Sequence, residues 1–116
     1  MTEDVKISKI LEIANKYNLK VADYQFSPNK FDVKLSCGLL VARVKYAVYN
    51  DLVEYIEMPQ GYTSWPDDGN YRYILCKGWM QAQGLFSFER KLQFLLENYK
   101  KCEVECRKLD LENDFK

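Results

Sequence analysis

Apolar and polar positions change rhythm along the chain, and each change marks an element. Near the start, Ile7, Ile10, Leu11, Ala14 and Tyr17 recur at helical spacing with charged residues between them, which predicts an amphipathic helix over 3–18. Thr2 stands where an N-cap is wanted, Glu3 and Asp4 suit the positive end of the helix dipole, and Asn18 suits a left-handed residue after the last turn.

The period then drops to two. Ala22, Tyr24 and Phe26 alternate with polar residues, as do Phe31, Val33 and Leu35, and the series continues through Leu40, Ala42, Val44, Tyr46 and Val48. Turn-forming clusters separate these runs at 27–30 and at Cys37-Gly38. A tight turn at Cys37-Gly38 places Leu35 opposite Leu40, Val33 opposite Ala42 and Phe31 opposite Val44. A turn centred on residues 28 and 29 places Tyr24 opposite Val33 and Phe26 opposite Phe31. Every such pair sets apolar against apolar, so the expected arrangement is an antiparallel meander with one greasy face.

Residues 52–58 read as a fourth strand, with a short helix as the alternative because Asp51 and Glu54 have capping-box spacing. Pro59 is expected to end that element, 59–70 to form a loop, and 71–77 to form another strand. The stretch 78–84 reads as a connection or a first helical turn. From Leu85 to about Glu112 the pattern is helical again. Phe88, Leu92, Leu95, Tyr99, Cys102, Cys106 and Leu109 form a heptad series, which Phe86, Phe94 and Leu96 widen up to Tyr99. Beyond Tyr99 the helix turns polar, and residues 100–116 are expected to extend from the sheet or to pair with a second copy.

The predicted class is therefore α+β: an N-terminal helix, an antiparallel meander of four to five strands, and a long C-terminal helix. Both helices are expected on one sheet face. A chain of 116 residues has room for one such core, so 1–116 is read as a single domain.

Charge narrows the functional classes. Lys plus Arg and Asp plus Glu number 17 each, which disfavours both a phosphate-covering protein and an acidic nucleic-acid mimic. No run approaches the roughly 18–20 apolar residues needed to cross a bilayer. The acidic start lacks the order of a signal peptide, so a cytoplasmic protein is expected, with free thiols at Cys37, Cys76, Cys102 and Cys106. Cys102 and Cys106 share a helical face, but a second ligand pair is missing, so no metal or other cofactor is expected.

The chain has no histidine, which removes the commonest general base and every Ser-His or Cys-His nucleophile. Its five glycines stand singly, so there is no phosphate-cradling loop. One carboxylate set remains. Asp23, then Asp32-x-Lys34 on the neighbouring strand, with Glu12 on the first helix, resembles the PD-(D/E)xK nuclease pattern. That resemblance implies two acids holding Mg²⁺ and a lysine activating water. The expected register brings Asp23 opposite Lys34 and diagonal to Asp32, although Ala22 stands where the motif has proline.

Two binding surfaces compete with catalysis. Tyr62 and Trp65, beside Asp67 and Asp68, form an aromatic-acidic segment suited to a protein partner, and Glu103 and Arg107 on the polar C-terminal helix could join it. Alternatively Lys34, Arg43 and Lys45, with Tyr49, form a basic-aromatic platform for nucleic acid on the outer sheet face. The leading expectation is a non-enzymatic protein-binding module: an inhibitor, immunity or accessory protein of the kind common on phages and mobile elements. It would act as a monomer or homodimer without a membrane. The alternatives are nucleic-acid binding and the Mg²⁺-dependent nuclease.

Overall fold

The computed structural model describes residues 4–25, 27–67 and 71–114, and for 65–67, 71–73 and 107–114 the backbone alone. The elements run in the order α1 (Ile7–Lys16), β1 (Lys20–Asp23), β2 (Lys30–Lys34), β3 (Leu40–Tyr46), β4 (Val53–Asp67), β5 (Tyr71–Ala82) and α2 (Leu85–Asp114). The five strands form one antiparallel meander in sequence order. The α+β class read from the periodicity is thus the observed one.

Helix α1 begins later than its periodicity suggests, because the chain ahead of it is used in pairing. Val53 donates its N–H to the carbonyl of Val5 at 2.7 Å, and Lys6 bridges Leu52. The expected cap, Thr2, lies outside the described residues. The helix ends as anticipated: Asn18 takes φ 57, Asn18 N–H reaches the Asn15 carbonyl and Leu19 N–H reaches the Ala14 carbonyl at 2.9 Å. These two bonds satisfy carbonyls that a helix end otherwise leaves bare.

The β2–β3 register carries Phe31 opposite Val44 and Val33 opposite Ala42, as the alternation requires. A shift after Val33 puts Lys34 opposite Leu40, so the expected Leu35–Leu40 pair does not form. The β1–β2 register is a correction. Val21, not Tyr24, faces Val33, and Asp23 faces Phe31. The strands are joined by a longer connection, in which Asn29 adopts φ 60 and Tyr24 donates to the Lys30 carbonyl at 3.1 Å.

The larger correction concerns 59–70. Pro59 does not end β4, and the expected loop is mostly strand: β4 and β5 pair in one constant register from Ile56–Ala82 to Asp67–Tyr71. Pro59 lacks an N–H for its opposite residue, Trp79, and Gln60 Nε2 instead donates to the Trp79 carbonyl at 3.3 Å. Gly78 takes φ +63 under the Gln60 side chain, a conformation that other residues adopt with strain. Proline was legible as a breaker; the side-chain repair that carries the strand past it was not. The stretch 78–82 likewise continues β5 rather than starting a helix.

One core lies between the sheet and the helices. It joins Ile10, Ile13 and Ala14 of α1, Phe31 and Val33 of β2, Val44 of β3, Ile56 and Met58 of β4, and Phe88, Leu92 and Leu95 of α2. Helix α2 lies along β4 and β5, and α1 packs by β1 and α2. Because the hairpin is long, it accompanies α2 as far as Glu105, which accepts from Ser64 Oγ at 3.1 Å. Cys102 is buried beneath.

Candidate functional site

The aromatic-acidic segment is placed by β4. Alternation turns Tyr62 inward, where it is 4% exposed. Its hydroxyl donates to the Leu40 carbonyl at 2.7 Å, and its ring meets Tyr99 edge to face at 6.3 Å. Burial pushes the Tyr62 hydroxyl well above the usual tyrosine range. Tyr62 therefore serves the core and offers no ring to a partner. Trp65 and Asp67 stand on β4 by backbone, and Asp68 falls outside the described residues. Arg107 lies on α2 with its side chain likewise outside the description, and Glu103, half-buried, reaches the Tyr99 hydroxyl.

On the outer sheet face, registers align Asp32 with Arg43 and Arg43 with Glu57. Arg43 Nε donates to Asp32 Oδ1 at 2.9 Å and Nη2 to Oδ2 at 3.3 Å, a two-pronged ion pair. The same guanidinium sits 4.3 Å from the Tyr24 ring centroid. Lys45 approaches Glu54 at 3.8 Å, and Lys30 lies 5.6 Å from the ring centroids of both Tyr24 and Tyr55. Two of the expected phosphate-binding cations, Arg43 and Lys45, are thus engaged by carboxylates. Lys34 is half-buried at the end of β2. Tyr49, 89% exposed, sits on the β3–β4 turn rather than on the sheet face.

The carboxylate set does not converge as its expected register required. Asp23 faces Phe31 instead of Lys34, Asp32 is taken by Arg43, and Glu12 approaches Lys9 at 3.6 Å on the exposed face of α1. Among the described residues no group of three or more Cys, Asp or Glu side chains is placed to hold a metal ion. None of the described helices is long and apolar enough to cross a membrane.

What the sequence reading missed lies on the outer face of α2. Phe86 and Phe94, read there as part of the packed stripe, are 77% and 50% exposed. Helical arithmetic contains the signal: at about 100° per residue, Phe86 falls about 160° from Phe88, and Phe94 about 120°. Arg90 stands between them at the same four-residue spacing, and this spacing puts all three on one ridge.

Phe86, Ser87, Arg90, Lys91 and Phe94 line a surface groove of about 360 Å³. A second groove, about 510 Å³, lies on the other side of Phe86 between α2 and the chain around Val5. Lys91 Nζ sits 4.3 Å from the Phe94 ring centroid and donates to the Gln60 carbonyl at 2.6 Å. Its partial burial lowers its pKa. Glu89, the nearest acid on the helix, is already occupied: it accepts from Lys16 Nζ at 2.9 Å and from the Tyr17 hydroxyl at 3.0 Å. Arg90 has no ion-pair partner among the described residues. No family model, curated protein or solved structure matches this chain.

Proposed function

We propose that the chain is a protein-binding module, of the inhibitor, immunity or accessory kind, that docks its partner on the outer face of α2. The observation that supports this reading is the exposed pair Phe86 and Phe94. Burying a phenylalanine side chain contributes roughly 1.5–3 kcal/mol, and neither ring collects it in full within this chain. Helix propensity offers no reason for them either, since Lys, Glu or Ala would stabilise an exposed helical position better than Phe. A partner that covers the ridge recovers that burial, and aromatic anchors beside arginine are the usual composition of an interface centre.

The test is a parallel capture from host lysate with wild type and with the double variant Phe86→Ser/Phe94→Ser. The reading expects a protein retained by wild type and lost by the variant, with the helical circular dichroism of the two unchanged. Identical capture by both chains would place the contact elsewhere and overturn it.

A further inference from the structure

We infer that the segment accepted by this face is acidic as well as apolar: its carboxylate lies between Arg90 and Lys91 and its apolar side chain between Phe86 and Phe94. The inference rests on the protein-binding reading above and names the partner's chemistry. Two cations border the groove, and the described carboxylate closest along the helix, Glu89, lines the adjoining groove with Phe86 and Arg90 but is held by Lys16 and Tyr17. Lys91 is partly desolvated, with the Gln60 carbonyl and the Phe94 ring beside it and no ion-pair partner among the described residues, so an arriving carboxylate relieves a cost the free protein carries. Arg90 is exposed and offers its planar fork to the same carboxylate.

The same charges disfavour a second copy of this chain as the occupant. A two-fold contact lays a surface on itself, and farther along α2 the exposed charged residues are Glu97, Lys100, Lys101 and Glu105, the last of which accepts from Ser64. Cations therefore outnumber acids on this face, and stacking two such faces sets like charges together.

Selection of phage-displayed random peptides on the full chain tests the inference. Wild type is expected to enrich peptides in which Asp or Glu adjoins Leu, Phe or Trp. A synthetic peptide of that sequence is expected to bind about tenfold more weakly to Arg90→Glu, and to weaken with salt. Arg90 is exposed and makes no ion pair among the described residues, so its variant is expected to keep the wild-type urea midpoint. Enrichment of apolar peptides without acids, or an affinity that Arg90→Glu leaves unchanged, overturns the acidic assignment and leaves the protein-binding reading standing. Enrichment indifferent to Phe86→Ser/Phe94→Ser, or none at all, overturns both. Sedimentation that shows a dimer abolished by Phe86→Ser/Phe94→Ser assigns the face to a second copy and overturns the inference.

Discussion

The side chain of Asn98 on α2 accepts the backbone N–H of Tyr62 on β4, closing an edge of the sheet that β3 leaves open. Strand β3 pairs with β4 only from Val53 to Glu57, so farther along β4 has a strand partner on one side alone. There α2 takes over: Lys91 donates to the Gln60 carbonyl, and the Cys102 thiol lies 3.6 Å from the Tyr62 carbonyl. Replacing Asn98 with Ala strands a partly buried N–H and is expected to cost about 1–3 kcal/mol in urea unfolding. Asn98→Asp keeps the acceptor and is expected to cost less. Equal midpoints for wild type and Asn98→Ala would mean that the bond contributes nothing to stability.

Gly61 is coupled to that same contact. A Cβ at position 61 falls 2.9 Å from Asn98 Oδ1, closer than real Cβ atoms approach. Gly61→Ala is therefore expected to destabilise the wild type by roughly 1–3 kcal/mol through displacement of Asn98. In the Asn98→Ala background the obstacle is gone, so the same substitution is expected to cost less. A double-mutant cycle measures the difference, and additive costs would show that the two residues do not meet as described.

Tyr62 gives an alkaline signature. Burial raises its hydroxyl pKa above that of the unfolded chain, so the folded state holds this proton more tightly. The associated stability is present below the unfolded tyrosine pKa of about 10 and is lost as pH rises beyond it. Wild type is expected to lose stability above that pH more steeply than Tyr62→Phe. At neutral pH the variant is expected to be weaker by about 0.5–1.5 kcal/mol for the lost bond to Leu40. Parallel pH dependences in chemical denaturation would contradict the assignment.

The fold class and the β2–β3 register as far as Val33 were readable because they follow from period-two alternation between tight turns, where each residue reports its own face. The β1–β2 register was not, because β1 is exposed throughout and its register sets apolar on apolar only at Val21–Val33, with Asp23 against Phe31, and the longer connection leaves Tyr24 to lie on Arg43. Strand β4 was expected over 52–58, and its continuation through Pro59 and Gly61 to Asp67 was hidden. Proline is tolerated there because the Gln60 side chain serves the Trp79 carbonyl, and glycine because Asn98 fills its space. Both are tertiary facts with no local trace. Extending the strand moved Tyr62 from a surface anchor to the core, while the candidate contact shifted to Phe86 and Phe94. Those two could have been excluded from the packed stripe by counting angles around the helix from Phe88.

Glu89 links stability in acid to the candidate surface. Its carboxyl is held below the ordinary glutamate range, first by the hydrogen bond from Lys16, then by the one from Tyr17. A carboxyl with a depressed folded pKa adds stability above the unfolded value of about 4.3, and that stability is lost as pH falls through the folded pKa. Glu89→Gln is therefore expected to be less stable than wild type at neutral pH and equal to it in strong acid. Salt is expected to narrow the neutral gap, since the ion pair with Lys16 is exposed on the lysine side. The contact ties α1 to α2 beside Phe86, because Glu89 lines the 510 Å³ groove next to that ring with Lys9 of α1, and shares another with Lys16 and Arg90. Loss of the tie is expected to loosen the grooves before the sheet, so hydrogen exchange in acid should rise first in α1 and the opening turns of α2. Protection that falls uniformly across β2, β3 and α2 would show that the two helices are held together by the core alone.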